Sequence, residues 1–217
     1  MNILVIGNSQ SFEELKLKLG YEISFEYQMN IESVNDLSKY DVIFDFDISD
    51  YPENFEYYAD LDDTIVLLNT VKISLAELSF TFSKSSADIY GFNGLPTFIN
   101  RDTIEISSIS NVVSDKFKSL NWDYVLVDDR VGLVTPRIIF MIINEAFYTV
   151  QEGTASKEDI NVGMKLGTNY PFGPFEWVER IGIKDIYETL EAVYEDTKDE
   201  RYKIAPMLKK EYLNSIN

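Results

Sequence analysis

The 217 residues include 45% hydrophobic and 14% aromatic side chains, which suffices for a real core in one large domain or two small ones and excludes a disordered chain. The 37 acidic residues against 19 basic ones give a formal charge of −18, a field that repels phosphate backbones and anionic head groups and so predicts no nucleic-acid or membrane partner. With no cysteine and no histidine there is no disulfide, thiolate, Cys-ligated metal site or imidazole base; acid-base chemistry near neutral pH falls to a carboxylate, Lys or Tyr with a shifted pKa.

In chain order, Ile3-Leu4-Val5-Ile6 is a buried-strand run ending at Gly7. A helix follows through Leu19, with Ser11 and Glu14 spaced as a capping box and Gly20 as terminator. Tyr21, Ile23, Phe25 and Tyr27 alternate with polar residues, the period of a strand with one apolar face. Residues 41–46 and 64–68 are further strands, separated by a Tyr- and Glu-rich stretch at 51–60. Ile73 to Phe80 is predicted as a helix, 88–90 and 103–106 as strands, Ser110 to Leu120 as a helix and Tyr124 to Val127 as a strand. Strands alternating with helices predict an α/β fold with a mostly parallel sheet.

After Gly132 the period changes. Residues 136–214 are helical throughout, and Ile138, Ile139, Phe140, Met141, Ile142, Ile143, Phe147 and Val150 surround much of one long helix ended by Gly153. Ser156 to Asp159 caps the next helix, Gly167 is expected to stop it, and Gly173-Pro174 opens another. Two units are therefore expected, 1–130 and 131–217. No apolar stretch approaches the roughly 20 residues of a membrane span, and no basic segment with a long apolar run follows Met1, so a cytoplasmic protein is expected.

A strand followed by Gly7 and a helix invites a dinucleotide reading, in which amides at a helix N-terminus hold a pyrophosphate. That fingerprint needs three glycines, and side chains from Asn8 to Phe12 would crowd the approach. Glu26, nineteen residues past Gly7, stands at the spacing of a ribose-binding acid and reads equally as a solvated strand face.

The second half is more specific. Val131 to Arg137, Asn144-Glu145-Ala146, Glu152 to Ile160, Met164 to Gly167 and Tyr170-Pro171-Phe172-Gly173-Pro174-Phe175-Glu176 closely resemble, in order and spacing, the helical domain of 3-hydroxyacyl-CoA dehydrogenases. The resemblance implies a Rossmann-like first domain, NAD as cofactor, an acyl-CoA substrate of fatty-acid metabolism and a homodimer paired through the helical domain. Under the same resemblance, Asp41 to Asp45 matches a strand whose last acid, Asp45, lies by the cofactor. Leu68-Asn69-Thr70 and Gly94-Leu95 with Thr97-Phe98-Ile99-Asn100 match two further segments, which places Asn69 and Asn100 by the cofactor and Glu105 at the glutamate of the catalytic dyad. The family's base is a His, and that position is Thr97, or Pro96 in the alternative register. The substrate-holding Ser becomes Val71 and the substrate-holding Asn becomes Pro136. Thr is no base near neutral pH, and Val and Pro carry no side-chain hydrogen-bonding group.

Two readings follow. One is a degenerate relative that keeps a dimeric scaffold with an acyl-CoA or nucleotide cleft. The other is an active NAD-dependent oxidoreductase with Glu105, a Tyr or a Lys as base. Asn69 and Asn100 also serve as turn formers under either reading.

Overall fold

Four consecutive apolar residues, Ile3 to Ile6, have both faces covered, and this is why strand β1 (Asn2–Ile6) needs no polar alternation. It is the second strand of a seven-stranded sheet in the computed structural model, which describes residues 1–20, 22–82 and 87–216. The other strands are β2 (Ser24–Gln28), β3 (Val42–Asp45), β4 (Ile65–Asn69), β5 (Asp88–Phe92), β6 (Ile104–Ser107) and β7 (Tyr124–Val127). The order is β2-β1-β3-β4-β5-β6-β7, and every pairing is parallel except β5 with β6. Alternate residues feed two apolar layers. Ile3, Val5, Phe44 and Leu67 pack on one face with Phe117, and Leu4, Ile6, Ile43 and Val66 on the other with Phe55 and Tyr58.

The helices of this first unit, Met1–Leu133, are α1 (Ser9–Leu19), α2 (Leu75–Thr81) and α3 (Asp115–Lys118). Two local expectations are corrected. Ser11 is not the cap of α1: it lies inside the helix and is buried, and Asn8 caps instead, its Oδ1 accepting the Ser11 amide at 2.9 Å. The helix expected over 110–120 shrinks to four residues, because Asn111 stands at a φ of 52° and the Ser114 amide donates to the Tyr90 hydroxyl. The Tyr- and Glu-rich stretch holds a 3-10 helix, Pro52–Tyr58, that buries Phe55 and Tyr58. Tyr21 lies outside the described residues.

The second unit begins at Val134 and is helical: α4 (Thr135–Gln151), α5 (Lys157–Thr168), α6 (Pro174–Ile181), α7 (Ile183–Thr197) and α8 (Pro206–Ser215). Ser156 and Asp159 form the capping box of α5. Gly167 does not stop that helix, which runs on to Thr168 and ends where Asn169 takes a φ of 57°, since Asn tolerates the left-handed turn that closes it. Gly173 is required by close approach: a Cβ there would lie 2.3 Å from Asn161 Oδ1, the atom that accepts the Phe175 amide. Buried Asn144 ties α4 to the chain before α8, donating to the Lys203 carbonyl at 2.9 Å and accepting from the Ala205 amide at 2.8 Å. Among the described residues no helix is long and apolar enough to cross a membrane.

Candidate functional site

In open α/β sheets ligands enter at the carboxyl ends of the strands, at the point where the winding reverses, here between β1 and β3. At that point Gly7 (φ 140°) donates its amide to the Gln28 carbonyl at 3.2 Å and lies under the Phe46 side chain. A Cβ on Gly7 would stand 2.8 Å from Phe46 Cβ, and one on Gly94 would stand 3.0 Å from Phe46 Cδ1. The Phe46 ring therefore fills the space between the loops that follow β1 and β5. It is buried, with its ring 5.3 Å from that of Phe92. Asn69, at the end of β4, fastens this closure by donating to the Phe46 carbonyl at 3.2 Å and accepting the Gly94 amide at 3.0 Å.

The remaining sequence-predicted residues divide in two. Asp45 belongs to the same edge but points into the core, where it accepts from Tyr58 Oη at 2.8 Å and from the Asp47 amide at 2.8 Å. Burial pushes its carboxyl up to about 6, against the lowering effect of the Tyr58 and Asp47 hydrogen bonds. Tyr58 is driven well above its ordinary value by the same burial and the neighbouring carboxylate. Thr97 stands in the β5–β6 loop at a φ of 73°, its amide donating to Glu14 Oε2 at 2.9 Å and its hydroxyl buried without a hydrogen-bond partner. Glu105 is brought to the edge by its carbonyl, which accepts the Asn93 amide at 3.3 Å, but Thr97 Oγ1 does not bond to it. The two do not form a dyad. Pro96 is half-buried beside Thr97 and has no group to offer.

Glu26 lies elsewhere. It pairs with Leu4 in the middle of β2 and makes an ion pair with Lys39 at 3.2 Å, while the residue at the carboxyl end of the strand, beside Gly7, is Gln28. Asn100 is exposed in the turn after Ile99. Val71 is fully buried, with its carbonyl accepting the Gly132 amide at 2.7 Å, and Pro136 is buried in the first turn of α4.

Glu14, Phe46 and Asp129 were not expected from sequence to act near these residues, and Asn8, expected only to crowd the turn, caps α1. The Asp129 carboxylate accepts the Leu75 amide at 3.0 Å and the Ala76 amide at 2.8 Å, so the first turn of α2 is already satisfied from within the chain. Asn8 was findable, being a cap-forming residue type directly after the strand-ending glycine. The other three act across long sequence separations that leave no local mark. A separate groove of about 470 Å³ includes Asp88, Tyr90, Ser108 and Ser114 in its lining, and its acid is internally bonded by Tyr90 and Ser114. Among the described residues no group of three or more acids is arranged to hold a metal ion.

The turn after β1 does not fit a dinucleotide held by bare backbone. Ser9 and Phe12 stand at the second and third glycines of the fingerprint, and the Phe12 ring stacks on Tyr27 at 5.0 Å, where a glycine would let helix and sheet close up. Asn8 consumes the Ser11 amide.

The sequence profile of the 3-hydroxyacyl-CoA dehydrogenase C-terminal domain matches residues 132–215. A 3-hydroxybutyryl-CoA dehydrogenase of Clostridioides difficile is 31% identical over 186 residues, covering 81% of this chain and 66% of the relative. The chain belongs to the 3-hydroxyacyl-CoA dehydrogenase family. A 3-hydroxyadipyl-CoA dehydrogenase of Escherichia coli (strain K12) is 38% identical over 87 residues, but these are 40% of the chain and 18% of that relative. The chain thus spans under two thirds of the length of these curated relatives. The fold is that of solved family members. The crystal structure of FadB2 from M. tuberculosis superposes with a TM-score of 0.76 at 17% identity, covering 98% of this chain and 93% of that one. (S)-3-hydroxybutyryl-CoA dehydrogenase from Ralstonia eutropha gives a TM-score of 0.71 at 20% identity, covering 99% and 94%.

Proposed function

We propose that this chain is a catalytically silent member of the 3-hydroxyacyl-CoA dehydrogenase family, a homodimeric scaffold that binds without oxidising. The observation that carries this reading is the Thr97 hydroxyl, buried, unpartnered and not joined to Glu105, at the residue that the resemblance sets at the family's base, with Pro96 as the alternative register. Removing one general base is typically worth 10²–10⁴-fold in rate and can be survived. Here Val71 and Pro136 also offer no hydrogen bond to a substrate carbonyl, and the crevice at the winding reversal is filled by Phe46. NAD, the cofactor implied by the family, finds a poor seat on the Asn8 to Phe12 turn. Acyl-CoA remains the ligand to test.

The dimer rests on α5, which has no buried residue although it carries Val162 (52% exposed) and Leu166 (83% exposed). On α4, Ile138 is also open, at 54%. Apolar burial contributes roughly 25 cal/mol per Å², so an obligate interface of about 2,000 Å² outweighs the mutual repulsion of two acidic chains in moderate salt.

The deciding experiment has three arms. Steady-state oxidation of 3-hydroxybutyryl-CoA with NAD should give no turnover in the ordinary enzyme range of roughly 1–10³ s⁻¹, and a rate in that range sinks the reading. NADH titration followed by fluorescence should show no saturation. Acetoacetyl-CoA titration followed by heat then separates an acyl-CoA binder from an empty scaffold.

A further inference from the structure

The edge of β5 that faces β6 is used only in part. β5 pairs with β4 from Asp88 to Phe92, but with β6 through Gly91 and Phe92 alone, because the chain leaving β6 at Ser107 turns away. Asn111, at a φ of 52°, makes that turn with its amide on the Ser108 carbonyl at 3.0 Å, and the chain returns to β5 at Ser114. Between this loop and the start of β5 lies the groove of about 470 Å³, a size within the roughly 300–1,000 Å³ of small-molecule sites. Asp88 begins β5 and Gly94 follows its other end, so the groove is separate from the crevice that Phe46 fills.

The loop is pinned to the strand at Ser114. The Ser114 amide donates to the Tyr90 hydroxyl at 2.9 Å, that hydroxyl donates to Asp88 Oδ1 at 2.6 Å, and the Ser114 hydroxyl donates to Asp88 Oδ2. Each carboxylate oxygen thus takes one hydrogen bond and keeps capacity for another. Among the described residues that line the groove, Asp88 carries the one charged side chain. Buried Phe55 and Leu75 form an apolar wall, and Ile109 and Val112 of the loop stand 58% and 63% exposed at the rim. Apolar side chains left open beside an oriented carboxylate suit a ligand of both characters. We propose that this groove binds a small organic ammonium, its apolar body against Ile109 and Val112 and its charge on Asp88. An ammonium brings donors and no acceptor, which matches the remaining lone pairs of Asp88 and the hydroxyl oxygens of Ser79 and Ser110. Anionic ligands are repelled by Asp88 and by the formal charge of −18 alike. The site stands apart from catalytic silence, since neither Thr97 nor Glu105 lines it.

Titration of the isotope-labelled full chain with phenethylamine, a cation at neutral pH, tests this through amide chemical shifts. The shifts should saturate and be confined to residues 88–90 and 108–114. Phenethyl alcohol, the same body without the charge, should bind about tenfold more weakly, and phenylacetate should not bind. Asp88→Asn keeps an acceptor for the loop and should weaken the amine about tenfold while leaving the alcohol unchanged. If Asp88→Asn does not fold, Val112→Lys decides: that position is 63% exposed, and a lysine there brings the chain's own ammonium to the acid, so amine affinity should fall about tenfold. Shifts that do not saturate or that scatter over other acidic surfaces, an alcohol bound as tightly as the amine, or amine affinity unchanged in the folded variant overturns the site.

Discussion

Asp45 and Tyr58 meet inside the first unit, the tyrosine hydroxyl donating to Asp45 Oδ2 at 2.8 Å with both side chains buried. The resemblance sets Asp45 beside a cofactor; the structure buries it against Tyr58. Tyr58 comes from the 3-10 helix Pro52–Tyr58, so the hydrogen bond holds that helix against the end of β3.

The raised Asp45 pKa makes stability fall with pH. Below its ordinary value of 3.8 the carboxyl is neutral in both the folded and the unfolded chain. Between there and about 6 the unfolded chain releases its proton first, and above about 6 the folded chain has done the same, so the loss stops growing. The full effect is on the order of 3 kcal/mol. Asp45→Asn keeps an acceptor for the Asp47 amide and stays neutral. In urea melts from about pH 4 to about pH 7.5, its stability relative to wild type should rise through the window and then level off. Parallel curves would show that Asp45 is ionised at no cost.

Gly7→Ala should destabilise the chain by about 2–4 kcal/mol, because a Cβ meets Phe46 at 2.8 Å and the backbone sits at a φ of 140°. Chemical denaturation measures this. A glycine kept for a cofactor would behave otherwise, losing NADH affinity while leaving the melt almost in place.

Thr97→His should not create a dehydrogenase. The side chain leaves a residue whose amide is tied to Glu14, Glu105 is not its partner, and Val71 and Pro136 still offer no hydrogen bonds. NADH production from 3-hydroxybutyryl-CoA should match wild type. A gain of 10²-fold or more would reveal a site whose geometry survives the loss of its base.

Leu166→Glu should split the proposed dimer without unfolding the chain. Glutamate is a good helix former, and Leu166 is 83% exposed within its own chain, so folding loses little. Light scattering in moderate salt should give about twice the chain mass for wild type and one chain mass for the variant. A wild-type monomer would refute the interface, and so would a variant that remains dimeric.

Elements held by neighbours in sequence are legible in the order of residues alone. The run Ile3 to Ile6 announces a covered strand, Ser156 with Asp159 a helix start, and Gly173-Pro174 with Glu176 another. The switch from alternating segments to helical period after Gly132 announces the second unit, because caps and periodicity act within one or two turns. Other features needed the tertiary structure. β6 turns antiparallel through pairing with Phe92, and α3 loses its first turns to a tyrosine twenty-four residues away. Asp45 is drawn inward by Tyr58, Phe46 closes on Gly7, and Glu14 reaches Thr97 across 83 residues. A side chain's residue type shows what it can bond to; which partner it finds, and so whether a glycine serves a ligand or a phenylalanine ring, is set by distances that exist only once the sheet has formed.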